Sequence, residues 1–233
     1  MKRLLLLCFL CLPVFAGAAS CEVADEYKAI CQAAEKGDAT AQTTLGTLYY
    51  LGLGVNRDYH KAFKWAMDAA EQGHYDAQNL LGNMYFDGDG VAQNFHQAFK
   101  WYKKAAEQGQ KYAQYSLGKM YFDGQGVRQD YSLSFKWIKS SAEQGEARAQ
   151  HALGILYYNG QGVKQNYHQA FQWYKKAAEQ GEANAQGMLG IMYFEGHGVR
   201  QDYSQAKEWF GKSCDNGEQA GCDGYKEIKK LGY

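Results

Sequence analysis

Between residues 38 and 51, apolar side chains fall at Ala41, Leu45, Leu48 and Tyr49, spaced by three and four with polar residues between them. That is the stripe of an amphipathic helix. The Gly-x-Gly-Val that follows (Gly52, Gly54, Val55) ends it, because Gly52 can take the left-handed conformation past a helix end. Asp58 then stands where an N-cap belongs. A second set, Ala62, Phe63, Ala66, Ala69 and Ala70 with Trp65 beside them, predicts a helix over 59–72, which Gly73 stops.

The pattern then starts again. Gly37, Gly73, Gly109, Gly145, Gly181 and Gly217 stand 36 residues apart, and so do Gly46, Gly82, Gly118, Gly154 and Gly190. Trp65, Trp101, Trp137, Trp173 and Trp209 keep this step, as do the N-cap candidates Asp58, Asn94, Asp130, Asn166 and Asp202. Five units fill 37–216 without insertion or deletion. Such a period marks an array in which each unit buries its apolar face only against its neighbours. A mid-helix glycine costs about 1 kcal/mol relative to alanine, so the Gly46 series predicts close approach by a neighbouring backbone or ring. Tyrosine and tryptophan are the expected visitors. Residues 20–36 match a lone second helix and 217–233 a lone first helix. In the latter, Lys226 and Lys229 replace the Gly46 and Tyr49 series, as expected of a solvent-facing cap.

In the first unit the recurring residues are Ala41, Leu45, Gly46, Tyr49, Gly52, Gly54, Val55, Asp58, Ala62, Trp65, Ala69, Ala70 and Gly73. This pattern resembles that of Sel1-like repeats, relatives of tetratricopeptide repeats. The resemblance implies an all-α fold, an α/α solenoid with a right-handed superhelical twist, first helices on the concave face and second helices on the convex face. It also implies a role in holding other proteins together.

Charge and the N-terminus narrow the setting. Met1-Lys2-Arg3, the apolar run Leu4 to Phe15 and the small residues Ala16 to Ala19 read as a secretory signal peptide over 1–19. The mature chain then carries 23 basic against 25 acidic side chains, which argues against nucleic acid as a partner. No later stretch is apolar enough to cross a membrane. The expected location is the periplasm or the exterior, where disulfides form. Cys214 and Cys222 flank a short helix–helix turn almost symmetrically, which predicts a bond between them. Their spacing also looks like the cysteine-rich secreted branch of the resembling family. Cys21 has two competing fates. It can pair with Cys31 if residue 21 folds back from the helix, or carry a lipid anchor, since Ala18-Ala19-Ser20-Cys21 weakly matches a lipoprotein cleavage box.

Other motifs read as structure. The Gly-x-Gly-Val turns lack the third glycine and the preceding strand of a phosphate cradle. Asp87-Gly88-Asp89-Gly90 hints at calcium, but the twelfth loop position is Ala98 rather than glutamate. His60, His96 and His168 share one repeat position, so they are spread along the array and do not converge on a metal. No cofactor or metal is expected. Ser204-Gln205-Ala206-Lys207 fits the Ser-x-x-Lys motif of penicillin-recognising enzymes, without a Ser-Asp-Asn or Lys-Thr-Gly partner. The cysteine-rich branch is linked to penicillin binding and weak β-lactamase activity, so resemblance keeps that as the alternative function.

Comparing units locates a binding face. Positions 41, 42, 45, 46 and 49 barely change, whereas 40, 43, 44 and 47 change freely. Offsets of three, four and seven put the variable positions on one helical stripe. In the middle units that stripe holds Asp76, Asn79, Asn83, Tyr112, Tyr115, Lys119, Arg148, His151 and Asn184. Tyrosine and arginine are favoured interface anchors. The sequence therefore predicts an exported, non-enzymatic scaffold that binds a protein or peptide in a concave groove, with a cell-envelope component among the candidate partners.

Overall fold

The computed structural model describes residues 23–232. Among them run twelve α-helices, a short 3-10 turn at Asp25–Tyr27 and no strand. α1 is Lys28–Glu35. The first helices of the five repeats are α2 (Ala39–Leu51), α4 (Tyr75–Asp87), α6 (Lys111–Asp123), α8 (Ala147–Asn159) and α10 (Ala183–Glu195). The second helices are α3 (Tyr59–Glu71), α5 (Phe95–Glu107), α7 (Tyr131–Glu143), α9 (Tyr167–Glu179) and α11 (Tyr203–Asp215), and α12 is Gln219–Lys230. Each helix packs on the one before and the one after it. The first helices also touch their counterparts one repeat away, α2 with α4, α4 with α6 and α10 with α12, which puts them on the inside of the curve.

The boundaries follow from local chemistry. Gly52, Gly88, Gly124, Gly160 and Gly196 end the first helices in the left-handed conformation. Asp58, Asn94, Asp130, Asn166 and Asp202 each accept a hydrogen bond from an amide in the first turn of the second helix. The second glycine of each turn is tight for a different reason. A Cβ at Gly90, Gly126, Gly162 or Gly198 would strike the carbonyl that starts the second helix of the preceding repeat.

Close approach at the Gly46 series holds in every repeat, but tryptophan is not the visitor. The residue after it is. Tyr102 lies over Gly82, Ile138 over Gly118, Tyr174 over Gly154 and Phe210 over Gly190, while Gly46 meets the Ala66 and Ala62 backbone. A Cβ at Gly154 would sit 2.6 Å from the Tyr174 ring. The tryptophans lie one position further round the helix and are half-buried. Trp101, Trp137, Trp173 and Trp209 pack on the clusters that join the second helix of the preceding repeat to the first helix of their own, with a lysine ammonium over several of their faces (Lys104 over Trp101 at 4.0 Å). Two aromatic ladders complete the interior. Phe63–Tyr85, Phe99–Tyr121, Phe135–Tyr157 and Phe171–Tyr193 meet edge-to-face between repeats, and pairs such as Phe86–Phe95 meet within them.

A buried glutamine stitches three helices together at every junction. Gln150 donates to the Ala142 carbonyl of the previous second helix and accepts from Gln180 at the end of its own repeat. Gln42, Gln78, Gln114 and Gln186 repeat the arrangement, with Asn216 standing for the donor in the last case. The α1, α3, α5, α7 and α9 ends, whose carbonyls a helix leaves unpaired, are thereby joined to the next repeat.

At the C-terminal end, Cys214 and Cys222 are disulfide-bonded with Cα atoms 4.5 Å apart, joining α11 to α12. Lys226 and Lys229 are exposed and Ile228 is buried. Gly221 and Gly224 admit Ser213 and Phe210. Cys31 is buried in α1, while Cys21, on which the expected pairing or lipid anchor depends, and the expected signal peptide over 1–19 lie outside the described residues. No helix among the described residues is long and apolar enough to cross a membrane.

Two outcomes follow. Gly154→Ala forces the Tyr174 ring aside, and thermal unfolding of the variant should show a loss of about 1–3 kcal/mol despite alanine's better helix propensity. The Cys214–Cys222 bond closes a short loop and contributes about 2–3 kcal/mol on the chain-entropy estimate. Under reducing conditions, amide exchange should therefore accelerate first in α12 and leave α4 to α8 protected.

Candidate functional site

The variable stripe faces the inside of the curve, but its members differ in how free they are. Asp76, Tyr112, Arg148 and Asn184 are exposed, Tyr112 at 44%. Lys119 is exposed and paired with Asp123 at 2.7 Å. Asn79, Asn83, Tyr115 and His151 are half-buried. The second position of the stripe is thus partly structural, and its first member, Thr43, is buried and donates to the Ala39 carbonyl. Asn83 accepts a hydrogen bond from the Tyr102 hydroxyl at 2.8 Å, which removes it from the free face. Asn184 donates to Glu182 at 2.9 Å.

The stripe deepens into two adjoining pockets toward the C-terminal end. One, of about 240 Å³, lies between α6 and α8 and is lined by Tyr115, Lys119, Phe122, Ile138, His151 and Ile155, among others. The other, of about 210 Å³, is bounded by His151, Asn184, Met188, Ile191, Phe210 and Glu218, among others. His151 is the wall common to both. Their floors are apolar and their rims carry a few polar groups, which is the usual make-up of a recognition pocket.

The electrostatics of the rim are mostly settled within the chain. Arg148 donates to Glu146 at 2.9 Å, and its guanidinium lies 5.2 Å from the Tyr115 ring centroid. The hydrogen bond to Glu146 raises the Arg148 pKa, and burial raises that of Tyr115. His151 Nδ1 stands 3.9 Å from a Glu182 carboxylate oxygen. Burial pulls the His151 pKa below its ordinary value, and Glu182 opposes that in part. Below the groove floor, Tyr174 is fully buried, its ring 5.7 Å from that of His151, and its hydroxyl lacks a hydrogen-bond partner among the described residues.

The other motifs are placed apart. Asp89 accepts a hydrogen bond from the Tyr50 hydroxyl at 2.9 Å, linking consecutive repeats. His60, His96 and His168 are exposed at second-helix starts. Ser204 is exposed in the first turn of α11, a helix that contributes Phe210 alone to the pockets. Sequence comparison named the polar edge of the groove and passed over Ile155, Met188 and Ile191, which build its floor. The signal was present, since all three belong to variable positions.

The repeated units, the glycine windows and the helix-pair stacking now have a counterpart among known proteins. The Sel1 repeat profile matches residues 39–74, 76–110, 111–146, 147–182 and 183–218. The chain belongs to the Sel1 repeat family. Sel1 repeats generally serve protein–protein interaction. Its fold is similar to that of c5321, a protective antigen of uropathogenic Escherichia coli strains displaying an SLR fold. The TM-score is 0.83 at 40% identity, over 88% of this chain. This chain spans 44% of that antigen's length. A Sel1 repeat protein from Oxalobacter formigenes aligns with TM-score 0.78 at 36% identity, over 84% of this chain and 78% of its own. A putative Sel1 repeat protein from Klebsiella pneumoniae aligns with TM-score 0.57 at 27% identity, over 89% of this chain and 100% of its own. Among curated proteins, none matches this Sel1-repeat chain in sequence.

The buried position of His151 sets a pH dependence. Its ring should titrate below the ordinary value of about 6.5, as read by NMR. Between the two values the unfolded chain binds more protons than the folded chain, so stability rises with pH. Acidification through pH 6.5 should weaken the fold, and His151→Gln should remove the share due to this ring.

Proposed function

We propose that this Sel1-repeat protein is an exported, non-enzymatic scaffold that holds an extended peptide or a loop of a partner protein along its concave face. The observation that carries the reading is the pair of adjoining pockets that share His151, built from the positions that vary between repeats while the packing positions repeat. A side chain freed from packing can diverge, and here divergence produces a continuous depression of apolar floor and polar rim. The N-terminal basic and apolar run, the Cys214–Cys222 bond and the likeness to a protective antigen support a setting in the periplasm or outside the cell. Partners are then proteins or peptides of the cell envelope.

A crosslinking pull-down from the native envelope tests the reading. Tyr115→Ala combined with His151→Ala should reduce recovery of the captured partner at least tenfold while circular dichroism stays helical, as expected when anchor residues are truncated. Undiminished recovery with the double variant would remove the groove from the binding surface.

A further inference from the structure

The residue that opens the first helix caps it in four of the five repeats, His74 being the exception. Asp38, Gln110, Glu146 and Glu182 each accept a hydrogen bond from the amide three residues on. Glu218 opens α12 at the same repeat position and accepts none. It is half-buried, takes part in no side-chain hydrogen bond or ion pair among the described residues, and lines the C-terminal pocket. The Cys214–Cys222 bond holds the turn that carries it.

The surroundings sharpen the point. The cations near the groove are already matched, Arg148 by Glu146 and Lys119 by Asp123. Glu182 faces His151 without hydrogen-bond contact. Tyr174 adds a further unmatched oxygen. Its counterpart Tyr102 reaches across Gly82 to Asn83, whereas the Asn83 position is Ile155 in the Tyr174 repeat, so the hydroxyl ends beneath the groove floor beside His151. Tyr174 and Glu182 do not line the pocket, which sets the Glu218 carboxylate beside an apolar wall of Met188, Ile191 and Phe210. Arginine and lysine carry only donors at the tip and an apolar stem behind it.

We infer that the C-terminal pocket receives a basic side chain of the partner, its stem on Met188, Ile191 and Phe210 and its cation at Glu218. This rests on the groove reading above, and the experiment separates the two. A random-peptide display library is selected on the immobilised, oxidised full chain. Fluorescence anisotropy then compares an enriched peptide with the same peptide carrying norleucine in place of its basic residue. The inference expects arginine or lysine beside an apolar residue in the enriched set, and binding at least tenfold weaker with norleucine. In Glu218→Gln that gap should shrink to less than about threefold. Glu182→Gln serves as the second variant, since Gln110 shows that glutamine can cap this position. Peptides that need Tyr115 and His151 but show no basic preference, or a gap unchanged in Glu218→Gln whatever Glu182→Gln does, would overturn the inference and leave the groove standing. Absence of any peptide that depends on Tyr115 and His151 would overturn both.

Discussion

Everything in this solenoid rests on how closely the two helices of a repeat approach. The first helix gives up a side chain at Gly46, Gly82, Gly118, Gly154 and Gly190, and the second helix places backbone, isoleucine or an aromatic ring in the space. Each window costs about 1 kcal/mol of helix propensity, less than the roughly 1.5–3 kcal/mol from burying a large side chain. Because the same window recurs at a constant step, each helix pair presents an equivalent face to the next, and stacking can continue without adjustment. The glutamine junctions then fix how one pair meets the next, by satisfying a buried carbonyl and a buried amide together.

Packing of this kind leaves only the exposed positions of each inner stripe free, and the units differ along the stripe in a graded way. The innermost position passes from Thr47 and Asn83 through Lys119 to Ile155 and Ile191. The N-terminal part of the groove is therefore polar and the C-terminal part apolar, with the pockets in the latter. A partner laid along the face would meet hydrogen-bonding groups at one end and a place for anchoring side chains at the other. His151 stands at the transition between the pockets.

Much of this was readable from the chain. Helix pairs, their stops at glycine and their caps at Asp58 and its equivalents follow from spacing and local chemistry, because these interactions span only a few residues. The close approach at Gly46 was readable as well, but its visitor was not. Trp65 and Ala66 are adjacent, and only the rotation of one helix against another decides which of them points at the glycine. The role of Gln150 was hidden for a similar reason. Its constancy between units was visible, while its two partners lie 8 and 30 residues away. The groove was legible as a set of variable positions. Its depth was not, since pocket shape depends on curvature and on Phe210, which arrives from the second helix.

The central claim is that the exposed positions of the inner stripe recognise a partner without holding the array. Thermal unfolding and peptide binding measured on one alanine panel test it most directly. Leu117, Leu153 and Leu189 are fully buried, while Tyr112, Arg148 and Asn184 are exposed on the inner stripe. A buried leucine truncated to alanine costs about 2–5 kcal/mol, which lowers the melting temperature by roughly 5–15 °C in a chain of this size. The account predicts that drop for the leucines alone and weakened binding at an unchanged melting temperature for the stripe. Binding and stability falling together across the whole panel would contradict it.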